Sequence, residues 1–172
     1  LGPMIAGATE KALLHLEVAD RRSLETEIDQ IRARTGRVAV PGRNAPIQAI
    51  MDELEAYFAG RLRDFTVPLE APGSDFQRAV WEGLRAIPYG ETRSYGEQTR
   101  RLGFPPESVR AVARANGENR IAIVIPCHRV IGADGRLTGY GGGLWRKRRL
   151  LDLEREVAQG SALGPLFAAP VR

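Results

Sequence analysis

Cysteine and histidine are scarce in this chain of 172 residues, which contains one cysteine, Cys127, and two histidines, His15 and His128. A lone cysteine has no partner for an internal disulfide, and these three side chains are too few to complete a tetrahedral zinc site. We therefore expect no disulfide and no bound metal. We also expect no cofactor. The thiol is then either a reactive group or a small buried core residue.

Long apolar runs are also missing. No stretch approaches the roughly 18 apolar residues that cross a membrane, and the N-terminus lacks the charged and apolar segments of an export signal. Together with the unpaired thiol, this predicts a cytoplasmic protein. The hydrophobic content of 43% is nevertheless enough for one large domain or two small ones.

Charge is distributed unevenly along the chain. Residues 1–70 hold nine Lys and Arg against eleven Asp and Glu, whereas residues 93–149 hold twelve against four. A basic second half in a chain with a pI near 9.7 favours a polyanionic partner. A solvated basic surface explains the charge alone equally well.

The first part of the chain is predicted to be a small α/β module. Apolar residues over 4–8 and 13–18 predict a β-hairpin, and apolar residues at helical spacing predict helices over 24–35 and 45–59. The segment Ala71-Pro72-Gly73 is the best candidate for a linker to the second part.

The second part predicts a helix-turn-helix. Ser94 with Glu97 matches a capping box that begins a short helix, as does Ser74 with Gln77 further upstream, and Pro105-Pro106 precedes a second helix that ends near Gly117. The second helix of the pair carries two arginines among alanines: Arg110, Ala111, Ala113, Arg114 and Ala115. Small residues allow a helix to approach a surface closely and arginine binds phosphates, although plain solvent exposure explains such a face too.

The thiol follows a β-branched apolar run over 121–125, which predicts a buried strand or extended segment that ends at Pro126 and Cys127. An ordinary thiol has a pKa near about 8.5 and needs a base before it can act as a nucleophile. The adjacent His128 is the candidate base, directly or through a water, and a third group should orient its ring. An inert cysteine beside a structural histidine is the alternative.

A glycine cluster follows the thiol at Gly139 and over 141–143, and a terminal helix then carries the acidic residue Glu154, which can turn inward. Glycines let backbone amides face a ligand closely. The Walker pattern is absent, which argues against nucleotide hydrolysis, and a flexible loop is the alternative.

These segments resemble the O6-alkylguanine-DNA alkyltransferases, also called methylated-DNA–protein-cysteine methyltransferases. The matching motifs run in order through residues 74–154: Phe76-Gln77, Val80-Trp81, Ile87-Pro88-Tyr89-Gly90, Ser94-Tyr95, Arg110-Ala111-Val112, Asn119, Pro126-Cys127-His128-Arg129-Val130-Ile131, Gly139-Tyr140, Lys147, Leu150-Leu151 and Glu154. The stretch 113–125 is most similar to the C-terminal domain of the bacterial adaptive-response regulator.

The resemblance implies two domains and a tail. Residues 1–70 would form a ribonuclease-H-like α/β domain with a small antiparallel sheet and helices. Residues 74–157 would form a mostly helical domain with a winged helix-turn-helix and the active site, and residues 158–172 a tail. The implied partner is double-stranded DNA containing alkylated guanine, bound by a monomer.

The resemblance also implies roles on DNA. The second helix of the pair would enter the minor groove, where Arg110 fills the space of an extruded guanine and Ala111 and Arg114 share its face. The residues implied to surround the flipped base are Tyr95 at its ring-nitrogen edge, the carbonyls of Cys127 and Val130 at its exocyclic amine, and Tyr140 and Gly141 beside the alkyl group and its oxygen.

The implied chemistry is an SN2 transfer of the alkyl group to Cys127, with His128 as base through a water, Glu154 orienting His128 and Asn119 bracing the turn. A thioether is not readily reversed, so each molecule would act once, on O6-alkylguanine and on O4-alkylthymine. A non-catalytic protein that binds alkyl lesions is the alternative. A cysteine hydrolase or a simple helix-turn-helix regulator explains fewer of these residues.

Overall fold

The N-terminal part of the molecule is a small antiparallel sheet with two helices, as the sequence predicts. In the computed structural model, which describes residues 1–160, β1 (Met4–Ala8) pairs with β2 (Leu13–Val18), and α1 (Leu24–Thr35) and α2 (Ala45–Phe58) follow. Gly36 ends α1 with a φ of 68°, a conformation that glycine adopts without strain. Of the predicted tail, residues 161–172 lie outside the described residues.

The C-terminal part is mostly helical, which confirms the predicted class. Its elements are α3 (Asp75–Arg85), β3 (Arg93–Ser94), α4 (Tyr95–Arg101), α5 (Val109–Gly117), β4 (Val130–Ile131) and α6 (Leu144–Ala158). Short 3-10 turns precede α5 and β4, and the two-residue strands β3 and β4 pair in parallel. None of the helices within residues 1–160 is long and apolar enough to cross a membrane.

Both predicted capping boxes form. The Ser94 hydroxyl accepts from the Glu97 backbone N–H at 3.2 Å, and the Glu97 carboxylate accepts from the Ser94 N–H at 2.7 Å. Ser74 and Gln77 make the same reciprocal pair at the start of α3, at 3.2 and 2.8 Å. These local bonds satisfy the free N–H groups at the helix start, and they make Tyr95 the first residue of α4.

The prediction of a buried strand or extended segment over residues 121–125 is correct about burial and wrong about shape, because residues 122–124 form a turn. Only Ile121 pairs with a strand, at Leu16 of β2. The chain then turns, with the Val124 N–H donating to the Ala122 carbonyl at 2.8 Å, and Ile123 adopts a φ of 72°. A β-branched residue with a positive φ is strained. The apolar run over 121–125 therefore indicates burial and does not indicate strand pairing.

The larger of two hydrophobic core clusters within residues 1–160 joins the two parts. Its buried side chains include Leu13, Leu16 and Ile50 from the N-terminal part and Trp81, Leu84, Val112 and Ile125 from the C-terminal part. The Trp81 indole N–H also donates to the Ala115 carbonyl at 2.8 Å, which holds α3 against α5. The two parts are therefore expected to unfold together, because neither buries its apolar face alone.

Leu13 is fully buried in this shared core although it belongs to β2. Leu13→Ala should lower the free energy of unfolding by about 2–5 kcal/mol, because it removes buried methyl groups and leaves a cavity. Urea unfolding followed by tryptophan fluorescence should report this loss, since Trp81 lies in the same cluster. The exposed change Val40→Ala should alter stability by less than about 0.5 kcal/mol. A fluorescence midpoint that does not move in Leu13→Ala would show two independent cores.

Candidate functional site

The thiol is positioned by two tight turns. Pro126 has φ −82° and ψ 60°, the geometry of an inverse γ-turn, and the Cys127 N–H donates to the Ile125 carbonyl at 2.8 Å. Cys127 then begins a 3-10 turn that ends at Arg129. The ring of Pro126 restricts φ, so the backbone presents Cys127 in one orientation.

Asn119 braces this turn from the end of α5. Its side-chain amide donates to the Ile125 carbonyl at 2.8 Å and to the Cys127 Sγ at 3.3 Å. Its side-chain oxygen accepts from the Ile121 N–H at 2.9 Å. Asn119 is buried, so these bonds satisfy an amide that would otherwise be costly to bury. Asn119 therefore links the end of α5 to the turn that carries the thiol.

The Cys127 thiol is uncharged in the resting protein. Burial raises its pKa above the ordinary value, and the nearby carboxylate of Glu17 raises it further. The Asn119 amide and the charges of Lys147 and Arg21 lower the pKa but do not offset the burial. A nucleophilic reaction therefore requires a base that removes the thiol proton.

His128 is fully buried and is paired with Glu154. Its Nε2 lies 2.9 Å from the Glu154 Oε1. Burial lowers the pKa of His128, so the imidazole is neutral at neutral pH. An ionised carboxylate only accepts hydrogen bonds, so the single ring proton sits on Nε2 and Nδ1 carries a free lone pair. That Nδ1 is buried and has no hydrogen-bond partner among the described residues.

Glu154 is a fully buried carboxylate with four further donors. The Tyr57 hydroxyl donates to it at 2.8 Å, the Gly90 N–H at 3.1 Å, and the Arg129 Nε and Nη2 at 2.8 and 2.9 Å. Although burial alone would raise its pKa, His128 and Arg129 hold the pKa of Glu154 well below the ordinary value. Glu154 therefore keeps its charge and fixes the tautomer of His128.

Lys147 ties the glycine loop to the active-site turn. Its ammonium is buried and donates to the Val130 carbonyl at 2.5 Å and to the Thr138 carbonyl at 2.7 Å. Burial lowers the pKa of Lys147 to about 8, while its proximity to Cys127 acts in the opposite direction. A cation this close to the sulfur favours the thiolate once it forms.

The predicted base-binding residues gather around the thiol. Tyr95 is half-buried, and its hydroxyl lies 3.4 Å from the Thr138 carbonyl. Tyr140 and Gly141 line a cavity of about 10 Å³ together with Cys127 and Asn119. Val130 is buried directly after the active-site turn. Of these four residues, Tyr140 and Gly141 line the cavity at the thiol, whereas Tyr95 and Val130 lie outside its lining.

The predicted DNA-contacting residues lie elsewhere, on the exposed face of α5. Arg110 and Ala111 are exposed near its start. Arg114 follows one turn later and pairs with Glu118 at 2.9 Å, with most of its side chain still in solvent. None of these three residues lines the cavity at the thiol, so α5 presents a separate small-residue surface.

Sequence reasoning missed Tyr57, Arg129 and Lys147 as members of the site. Tyr57 is 0% exposed, although the apolar Met51 of the same helix is 41% exposed. The apolar spacing of α2 therefore does not identify Tyr57 as a buried residue. The burial of Arg129 and Lys147 has no signal in hydropathy, because charged residues are normally exposed. Their positions within the matching motifs were the only available clue.

Two family models match the chain. The model described as 6-O-methylguanine DNA methyltransferase, DNA binding domain, matches residues 75–156, and the model described as 6-O-methylguanine DNA methyltransferase, ribonuclease-like domain, matches residues 1–71. The two matches meet at the predicted linker.

Curated relatives carry the name methylated-DNA–protein-cysteine methyltransferase. The protein of Mycobacterium tuberculosis (strain ATCC 25618 / H37Rv) is 60% identical over 108 residues, which is 63% of this chain and 65% of the relative. That match thus spans slightly less than two thirds of the relative's length. The protein of Mycobacterium leprae is 44% identical over 155 residues, which is 90% of this chain and 87% of the relative.

Solved structures from Mycobacterium tuberculosis have a similar fold. The protein OGT in complex with DNA aligns with a TM-score of 0.76 and 47% identity over 91% of this chain and 88% of its own. The O6-methylguanine methyltransferase aligns with a TM-score of 0.76 and 45% identity over 96% of this chain and 91% of its own. The agreement covers both parts of the molecule.

The Tyr57 hydroxyl should contribute measurably to stability through Glu154. Tyr57→Phe should lower the free energy of unfolding by about 1.5–3 kcal/mol, the usual value of a hydrogen bond to a charged group. Tyr89→Phe is a matched control, because the Tyr89 hydroxyl is buried without a partner among residues 1–160. Its removal should cost nothing or stabilise the protein. Equal losses for both variants in urea unfolding would contradict a specific Tyr57–Glu154 bond.

Proposed function

Because the chain belongs to the 6-O-methylguanine DNA methyltransferase family, we propose that it repairs DNA by moving the alkyl group of O6-alkylguanine irreversibly onto Cys127. The observation that carries this proposal is the partly buried Cys127 next to the fully buried His128–Glu154 pair, with a protonated thiol and a neutral imidazole whose Nδ1 has no partner within residues 1–160. It fits a group transfer to sulfur because it supplies both the acceptor and the base.

The first step is removal of the thiol proton. The free lone pair on the His128 Nδ1 accepts the proton of Cys127 through one bridging water molecule. Buried polar groups without a protein partner commonly bind such a water. The imidazolium that forms is stabilised by the Glu154 carboxylate at 2.9 Å. Lys147 and Arg21 add positive charge near the thiolate. Glu154 and Lys147 act here through their neighbours and do not touch the substrate.

The second step is displacement at carbon. The thiolate forms a bond to the alkyl carbon while the bond between that carbon and the guanine O6 breaks, and its electron pair stays on the base. The base gains a proton at its ring nitrogen, which balances the proton lost from the thiol. The product is a thioether and an unmodified guanine. A thioether is not readily cleaved, so each molecule acts once.

The flipped base would lie at the opening formed by Tyr95, Tyr140 and Gly141. Tyr95 stands at the start of α4, where its hydroxyl can contact the ring-nitrogen edge. The carbonyls of Cys127 and Val130 are the acceptors for the exocyclic amine. The Val130 carbonyl already accepts from Lys147, and a carbonyl oxygen has a second lone pair for the base.

DNA binding is assigned to α4 and α5 as a helix-turn-helix, with β3 and β4 as the core of a wing. Ala111 allows α5 to approach the minor groove closely, Arg110 replaces the extruded guanine, and Arg114 contacts the backbone. The duplex is bound by one molecule of the protein. O4-alkylthymine is a second substrate under this proposal.

A non-catalytic lesion-binding protein is the alternative, and one observation weighs against it. Recognition of a lesion requires neither a thiol nor a base, yet Cys127 is braced by Asn119 and followed by a His128 that is paired with a charged Glu154. Burying a carboxylate carries a desolvation cost, and a role in proton transfer explains why a buried charge stands beside this histidine. The same arrangement is unnecessary in a regulator that only binds DNA.

Cys127→Ala should abolish transfer while retaining DNA binding, because it removes the acceptor and leaves α5 unchanged. Intact mass after incubation with an O6-methylguanine duplex should show one added methyl group on the wild-type protein, located on Cys127 by peptide mapping, and none on the variant. Tight lesion binding without any mass gain by the wild-type protein would favour the non-catalytic alternative. Methyl transfer by Cys127→Ala would refute the mechanism.

Arg110→Ala should slow transfer from duplex DNA by roughly 10- to 100-fold, because extruding a paired base costs a few kcal/mol that Arg110 offsets. The loss should shrink on a single strand, where no base pair opens. Single-turnover rates on both substrates test this. Arg43→Ala removes an equally exposed positive charge and should change neither rate. An equal loss on both substrates would instead make Arg110 an ordinary phosphate contact.

A further inference from the structure

The N-terminal part contributes an arginine to the thiol pocket. Arg21 follows β2, and its side chain is 9% exposed. Its guanidinium crosses to the C-terminal part, where Nη2 donates to the Gly117 carbonyl at 3.0 Å. Arg21 therefore lies between the start of α1 and the end of α5.

Two carboxylates hold Arg21 in this position. Its Nη1 donates to Glu17, and its Nε lies 2.5 Å from the Glu27 Oε1 and 2.9 Å from the Ser23 hydroxyl. Glu27 is itself fixed by Ser23 at 2.8 Å and by the Arg120 Nη1 at 3.1 Å. A guanidinium held on both edges presents a rigid planar surface.

Gly141 lies directly against this surface. A Cβ built on Gly141 would come within 2.3 Å of the Arg21 Nη1 and 2.4 Å of the Arg21 Cζ. Such distances are far shorter than van der Waals contact, so only glycine fits while Arg21 is in place. Since Gly141 is proposed to lie beside the alkylated oxygen, Arg21 borders the same space.

The cavity beside the thiol is very small. It has a volume of about 10 Å³, and Arg21, Glu17, Cys127 and Tyr140 are among its lining residues. This is room for about one water molecule, and a methyl group is little larger. Three other lining residues, Gly117, Gly139 and Gly141, have no side chain that could be shortened. Arg21 and Tyr140 are therefore the two largest side chains in the lining, and truncation of Arg21 would enlarge the cavity from the side of the N-terminal part.

We propose that Arg21 is a specificity-determining residue that restricts transfer to the smallest alkyl groups, with methyl as the preferred substrate. This inference rests on the proposed function, because it concerns which alkyl group reaches Cys127. Glu17 and Glu27 are positioning residues in it, since they hold the guanidinium against Gly141. A larger group such as benzyl would collide with Arg21 before its reacting carbon came within reach of the sulfur.

The test compares single-turnover rates for duplexes that contain O6-methylguanine or O6-benzylguanine, with the adduct on Cys127 measured by intact mass. The wild-type protein should transfer methyl faster by roughly 100-fold or more, because a fixed pocket wall excludes the added ring. Arg21→Ala should reduce this ratio by roughly tenfold or more, since even one methylene group in a pocket changes rates by that factor. Arg22→Ala removes an adjacent exposed arginine and should leave the ratio unchanged.

Two further variants separate the size of Arg21 from its charge and from folding. Arg21→Met keeps a long side chain without charge and should retain most of the size limit. In Arg21→Ala the buried Glu17 carboxylate loses its partner, which destabilises the fold. The double variant Arg21→Ala/Glu17→Gln also removes that charge, so it should remain folded even if Arg21→Ala does not. Thermal unfolding of each variant establishes that the folded protein is being compared.

Each possible outcome either supports or overturns a size limit set by Arg21. Similar methyl and benzyl rates in the wild-type protein overturn the inference, as does a wild-type ratio in a folded variant that lacks the Arg21 side chain. A ratio that falls equally in Arg21→Met assigns the effect to charge and overturns the size limit. If the wild-type protein accepts neither group, the proposed function itself is wrong.

Discussion

The buried carboxylate of Glu154 is the constraint on which the rest of the structure depends. An ionised group without water is costly unless every lone pair is used. Here the donors come from α2 through Tyr57, from the turn after α3 through Gly90, and from the active-site turn through His128 and Arg129. Satisfying one charge therefore positions three segments of the chain around α6.

The same charge controls the acceptor. Burial raises the pKa of Cys127, which keeps the thiol protonated and unreactive until a base acts on it. Burial lowers the pKa of His128, and Glu154 fixes its proton on Nε2. The N-terminal part takes part in this site through Tyr57 and Arg21, although neither residue belongs to the segment that carries the thiol. The N-terminal part therefore completes the site and also covers the core.

Local features were predictable and non-local ones were not. The capping boxes at Ser74 and Ser94 form as predicted because the bonds join residues three positions apart. The run over 121–125 was predicted as a strand or extended segment because β-branched residues are common in strands. Only Ile121 of this run pairs with β2, at Leu16, and the residues after it form turns. Apolar character determined the burial of this segment, and its neighbours determined its shape.

The sequence by itself determined the family motifs, the hairpin, the helices and the candidate acceptor, since these follow from residue types and short spacings. Only the tertiary structure decided that Tyr57 donates to Glu154 across 97 positions and that Arg21 reaches the Gly117 carbonyl across 96. The physical reason is that a buried charge selects its partners by distance in space. Hydropathy predicts arginine and lysine side chains to be exposed and gives no clear preference for tyrosine, so only the folded core shows which of them are enclosed.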